Sequence, residues 1–154
     1  MFSLEQDTAE EILCHAKEEF PYECCGAILS DDSLEYVRRC TNIQNERHRM
    51  DPKAYPRDAR TAYLVDPDDL INLHKEAHLK HRSIKAFYHS HPNEDAYFSE
   101  KDKSDATQPW DTPNYPDATY IVISVCDLSI KEVRAYAWDD STEDFSEISI
   151  NLNA

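Results

Sequence analysis

The chain has a single glycine, Gly26, in 154 residues. Phosphate-cradling loops and dinucleotide-binding fingerprints each need several glycines, so both are excluded. Turns must rest instead on Asn, Asp, Ser and the eight prolines. No Cys-x-x-Cys pair occurs, and the cysteines (Cys14, Cys24, Cys25, Cys40 and Cys126) are odd in number. That pattern argues against a disulfide framework and for reduced thiols, hence a cytoplasmic location. The N-terminal residues lack the basic and apolar regions of a signal peptide. No apolar run approaches a membrane span, so no membrane partner is expected. Positive charge is scarce too: 16 Lys and Arg face 31 Asp and Glu, for a formal net charge of −15. Such a surface repels phosphate backbones and anionic lipid, so nucleic acid is not an expected partner.

What is present reads as a soluble globular chain, 40% hydrophobic and 31% charged. Its length fits one domain over 1–154. Residues Asp7 to Phe20 carry Ala9, Ile12, Leu13, Ala16 and Phe20 at helical spacing, and Pro21 ends that helix. Strands are expected over 26–30 and 34–40 around an Asp-Asp-Ser turn. The charged, proline-punctuated stretch Gln44 to Arg60 reads as a long loop, and Ala62 to Val65 as a short strand. Asp66 and Pro67 then open a second helix as N-cap and first-turn residue. Its inner face would carry Leu70, Leu73, His74, Ala77 and His81. A strand over 84–90, a short helix from Ser99 to about Thr107, a proline-rich loop over 108–118 and three strands (119–125, 130–138, 145–152) complete the chain. Strands interleaved with helices predict an α/β layered fold with a largely mixed sheet.

The chemistry concentrates between Tyr88 and Asp102. Side chains alternate along a strand, so His89 and His91 project to one face. Pro92 stops the strand, and the following loop can return the helix that begins at Ser99 over the strand end. Asp102, in that helix's first turn, can then add a carboxylate oxygen. Two imidazoles and one carboxylate leave a tetrahedral position open, as in catalytic zinc sites, although iron(II) also uses such a triad. Ser-x-x-Asp has a plainer reading as a helix-capping pair, and Ser99 can serve as cap and site residue together. Upstream, Glu23 sits beside Gly26, where the missing side chain permits close backbone approach. His74, His78 and His81 match neither zincin pattern; packing is expected for His74 and exposure for His78. Cys24 and Cys25 read as small buried hydrophobes.

Glu23, then His89-Ser90-His91, then seven residues, Ser99 and Asp102 resemble the signature of the JAMM (MPN+) metalloproteases. Glu23 to Gly26, Thr41-Asn42 and Val65-Asp66-Pro67 are similar to further landmarks of that family, and the likeness covers about residues 8–138. The sequence departs from the pattern at Ala86, Ser30 and Asn93 to Asp95, where glycines are common. The resemblance implies a mixed curved β-sheet flanked by helices, of cytidine-deaminase-like architecture. It also implies zinc held by His89, His91 and Asp102, with Glu23 as general base and acid and Ser99 as oxyanion donor. The implied activity is cleavage after the Gly-Gly tail of a ubiquitin-like or sulfur-carrier protein conjugate, as in stand-alone prokaryotic members. A non-catalytic MPN-type scaffold and a RadC-like protein are the alternatives. The Trp110–Tyr115 loop could flank a substrate groove or fold on itself.

Overall fold

The computed structural model describes residues 1–152. Six strands form the main sheet in the order β3-β2-β4-β5-β6-β7. These are β2 (Cys25–Ser30), β3 (Glu35–Cys40), β4 (Ser83–Pro92), β5 (Thr119–Cys126), β6 (Ser129–Asp139) and β7 (Asp144–Ile148). β4 and β5 run parallel and the other neighbours antiparallel, so the sheet is mixed as expected. A second, two-stranded sheet pairs β1 (Phe2–Ser3) with β8 (Ile150–Asn151).

Helices cover both faces of the main sheet. α1 (Gln6–Glu19) lays Ala9, Ile12 and Ala16 on Ile28, Ala86, Tyr88, Ile121 and Ile123. Alternation sends the intervening residues the other way. There, Ala27 and Leu29 meet Leu73 of α3 (Pro67–Lys80), while Tyr120 and Val122 meet Ala106 of α4 (Glu100–Thr107) and Phe98 just ahead of it. Full burial of one such aliphatic side chain is worth about 1.5–3 kcal/mol. Asp66 caps α3 by accepting the Asp68 amide. The helix ends at His81, in the left-handed region at φ 54°.

Four expectations need correction. The stretch Gln44 to Arg60 is not all loop: Gln44–Met50 forms helix α2. Its one apolar residue is the exposed Met50 at its end, and only Gln44 is buried, so no apolar period announced it. No strand forms over 62–65; a single bridge joins Asn42 to Val65. The Asn42 side chain replaces the ladder, accepting from the Leu64 amide at 3.0 Å and donating to the Ala62 carbonyl at 3.3 Å. The last expected strand is broken at Ser149 into β7 and β8, because β8 leaves the main sheet to join β1. Finally, His74 is exposed rather than packed, and bonds the Tyr115 hydroxyl at 2.8 Å; His81 is exposed as well. Cys24 and Cys25 are buried, and all five cysteines are free thiols.

Candidate metal centre

β4 positions the two histidines. His89 and His91 share the α4 face of the sheet with Phe87, and both are buried. Their Nε2 atoms lie 3.2 Å apart. His91 Nδ1 lies 2.8 Å from the Asp95 carbonyl. A carbonyl can only accept, so Nδ1 carries the proton and the Nε2 lone pair faces the site. Tyr63 stacks on the His89 ring with centroids 4.6 Å apart and 26° between the planes.

α4 delivers the carboxylate. Ser99 Oγ accepts the Asp102 amide at 3.0 Å, and Asp102 Oδ2 accepts the Ser99 amide at 3.0 Å. The capping pair is therefore real, and it also aims Asp102: the same Oδ2 lies 3.2 Å from His89 Nε2 and 3.3 Å from His91 Nε2. Among the described residues, the Ser99 hydroxyl proton has no acceptor. Burial raises the Asp102 carboxyl, but the His89 and His91 rings outweigh it and hold the group well below the usual carboxylate range. Burial likewise lowers the His91 imidazole, yet Asp102 and the Asp95 carbonyl lift it above its ordinary value.

Glu23 arrives from the start of β2. Its amide donates to the Ala59 carbonyl at 2.7 Å, and its carbonyl accepts the Asn42 side-chain amide at 2.9 Å. The side chain is buried, and ligand atoms of Glu23, His89 and His91 lie within 4.8 Å of one another. Burial pushes its carboxyl up to about 8; His91 opposes the shift and Asp102 adds to it. Two overlapping trios thus exist: the histidines with Glu23, and the histidines with Asp102. Glu23, His91, Ser99 and Asp102 line one cavity of about 290 Å³. All five residues singled out in the sequence are brought together.

The donor set fits a divalent cation. Two imidazole nitrogens and a carboxylate oxygen converge on one point, and once the nitrogens that face it carry no proton all three present lone pairs there, an arrangement that a positive charge would relieve. Their spacing matches the edge, about 3.3 Å, of a tetrahedron with metal–ligand bonds of about 2.0–2.1 Å.

Residues 5–139 match the family described as prokaryotic homologs of the JAB domain. The chain belongs to that family. A desampylase of Haloferax volcanii is 25% identical over 152 residues, spanning 96% of this chain and 94% of its own. A CysO-cysteine peptidase of Mycobacterium bovis is 25% identical over 130 residues, spanning 84% and 77%. A solved structure from Desulfitobacterium hafniense superposes with a TM-score of 0.70 at 21% identity, covering 98% of this chain and 92% of that one. A JAB1/MPN domain protein from Archaeoglobus fulgidus does so with 0.51 at 13% identity, covering 97% and 98%. These structures show that the α/β fold of the JAB domain is the one expected.

Two features of this JAB domain were missed by the sequence reading. Ser90, between the histidines, points to the other side of β4 and accepts the Cys24 amide at 2.8 Å. Strand alternation could have flagged it. Tyr63 carried no signal, because it comes from a segment without periodicity and meets His89 only in the folded chain. Of the Trp110–Tyr115 loop, Tyr115 lines a second cavity of about 460 Å³ with Phe87, Leu70 and Tyr63, while Trp110 is 76% exposed. Among the described residues, no helix is long and apolar enough to cross a membrane.

Proposed function

We propose that this JAB-family chain is a zinc-dependent peptidase or isopeptidase. Its substrate is a ubiquitin-like or sulfur-carrier protein, cut after the Gly-Gly end of its tail. The observation that carries the reading is the convergence of His89, His91 and Asp102 within 3.3 Å beside a buried glutamate in one cavity. Relatives named as a desampylase and as a CysO-cysteine peptidase support the hydrolase class and the kind of substrate.

His89, His91 and Asp102 would hold the ion, which supplies a Lewis acid for the scissile carbonyl and lowers the pKa of water to about 7. The remaining work falls to the chain. Glu23 takes a proton from the attacking water and returns it to the departing amine, and its burial beside the histidines makes both transfers short. Ser99 points its uncommitted hydroxyl at the carbonyl oxygen as negative charge grows there, a contribution of about 3 kcal/mol in comparable sites. The Asp95 carbonyl and the Tyr63 ring keep the imidazoles in orientation, so the ligand atoms need no rearrangement before chemistry. A Gly-Gly end offers no side chains to grip, so it binds extended through backbone hydrogen bonds.

Purified protein, assayed for zinc and incubated with ubiquitin-like carriers extended beyond Gly-Gly, tests the reading by product mass. Stoichiometric zinc and a product ending at the second glycine are expected. Protein that takes up no zinc and leaves every carrier intact would sink it, and would favour a scaffold.

A further inference from the structure

The cations on the wall of the Glu23 cavity run against the composition of the chain. The stretch 44–60 holds Arg47, Arg49, Lys53, Arg57 and Arg60 against Glu46, Asp51 and Asp58, a local positive excess in a chain of net charge −15. Arg57 and Arg60 line the 290 Å³ cavity together with Glu23 and Ser99, and Lys101 of α4 lines it too. Their backbone is anchored, while both side chains are exposed. The Glu23 amide holds the Ala59 carbonyl at 2.7 Å, and Gln44 Nε2 holds the Arg57 carbonyl at 2.9 Å, so both arginines flank a segment tied to the base. The charges of Arg57 and Lys101 are felt at the Glu23 carboxyl.

These arginines are not spent on internal ion pairs. Lys101 pairs with Asp105 at 2.7 Å, but no carboxylate lies within 4.0 Å of Arg57 or Arg60 among the described residues. Arg57 makes only a 3.5 Å contact to the Thr61 carbonyl, and Arg60 lies 5.9 Å from the Tyr22 ring centre. The acids of the same cavity do not fill the vacancy. Asp102 is committed to the histidines and to the Ser99 amide, Glu23 is buried, and Glu94 is exposed. Two guanidinium forks beside a proton-transfer group suit a planar carboxylate, which they bind bidentately.

We propose that Arg57 and Arg60, with Lys101 beside them, form a subsite for the α-carboxylate of the leaving group. The substrate then carries one amino acid, joined through an ordinary α-peptide bond to the C-terminal glycine of the tail. This inference rests on the peptidase reading above and narrows it. In the reaction a water oxygen bonds to the glycine carbonyl carbon, the C–N bond breaks, and the proton held by Glu23 goes to the departing nitrogen. The products are a tail carboxylate and a free amino acid. In that leaving group one carbon separates the scissile nitrogen from the carboxylate. In a lysine isopeptide the same nitrogen ends a four-carbon apolar stem, and the arginines would face no charge.

The test uses one Gly-Gly-tailed carrier protein in three forms: extended by a single alanine with a free carboxylate, extended by alaninamide, and joined to a lysine side chain. Expected is a kcat/KM about tenfold or more higher for the free carboxylate than for the other two. The double variant Arg57→Gln, Arg60→Gln should bring the carboxylate-to-amide ratio near unity, and Arg57→Lys, Arg60→Lys should restore part of it. Calorimetry with the Glu23→Gln protein, which should not cleave, should show the same preference in affinity. Equal rates and affinities for all three forms would overturn the subsite while leaving the peptidase reading intact. A double variant that weakens the carboxylate and amide forms alike would also overturn it, placing the arginines against the carrier instead. No cleavage of any form would remove the peptidase reading and this inference with it.

Discussion

Ser90 and Cys24 lock the two halves of the candidate site together: Ser90 Oγ accepts the Cys24 amide at 2.8 Å, and the Ser90 amide donates to the Cys24 carbonyl at 3.2 Å. Ser90 sits between the two histidines and Cys24 follows Glu23, so this pair of bonds fixes the distance from Glu23 to the two histidines. Both residues are buried. Ser90→Ala leaves the Cys24 amide without its side-chain acceptor, at about 1–3 kcal/mol of stability. It also frees the Glu23 backbone to shift, and small displacements at a reacting group are costly in rate. Expected are a lowered urea midpoint and a fall of about tenfold in kcat, with Ser90→Thr nearer to the parent. Parent-like kcat in Ser90→Ala would show that the bonds from Glu23 to Ala59 and Asn42 are sufficient.

The roles of Glu23 and Asp102 separate under substitution. Glu23→Gln keeps the size of the side chain and removes its basicity, so bound zinc should remain stoichiometric while hydrolysis falls by about 10²–10⁴. Asp102→Ala removes the carboxylate proposed as a ligand and one arm of the capping pair, and should lose zinc as well as about 1 kcal/mol of stability. Metal analysis beside single-turnover rates distinguishes them. A Glu23→Gln protein that loses zinc as completely as Asp102→Ala would make Glu23 a ligand, the other trio that the geometry permits.

Gly26 is required by contact. A Cβ built on it would fall 2.5 Å from Cε1 and Cζ of Tyr88, and the Tyr88 hydroxyl is itself held by His15 Nδ1 at 2.7 Å. The ring cannot swing away without breaking that buried bond. Gly26→Ala should cost about 1–3 kcal/mol through overpacking. Combined with Tyr88→Val it should cost less than the two changes summed, because the smaller side chain makes room. Strict additivity in urea melts would show that the backbone at Gly26, and not the ring, sets the cost.

What could be read from the residues follows from which signals are local. His89, His91, Ser99 and Asp102 lie within one strand–loop–helix, where alternation and capping rules act over a few residues, and the structure brings them together. Glu23 is 66 residues from His89 in the chain, and only the family likeness joined them. Helices α1 and α3 declare themselves through apolar spacing, and α3 through its Asp66 cap as well. α2 does not, because its stability comes from neighbours that hold Gln44 and Asn45: Gln44 Nε2 reaches the Arg57 carbonyl, and Asn45 accepts the Ala59 amide. Tyr63 and the cavity arginines depend on that same packed segment, so they stay invisible until the chain is folded.

The last prediction concerns acid. His15 lies on the buried face of α1 against Tyr88, 4% exposed. Burial, with help from Arg39, lowers its imidazole from the ordinary 6.5 to about 4, while Glu18 and Glu11 pull weakly the other way. The folded value lies below the unfolded one, so between pH 6.5 and 4 the unfolded chain binds a proton that the native chain refuses. Stability from this group is therefore complete above about pH 6.5 and lost as pH falls toward 4, by up to about 3 kcal/mol. Other groups titrate in the same window, so the contribution is read as a difference. Urea melts at pH 7 and pH 5 should show the parent losing more stability than His15→Gln, whose amide can still meet the Tyr88 hydroxyl but takes up no proton. Equal losses in the two proteins would mean that the His15 imidazole takes up its proton alike in the folded and unfolded chains, and that its burial against Tyr88 does not depress it.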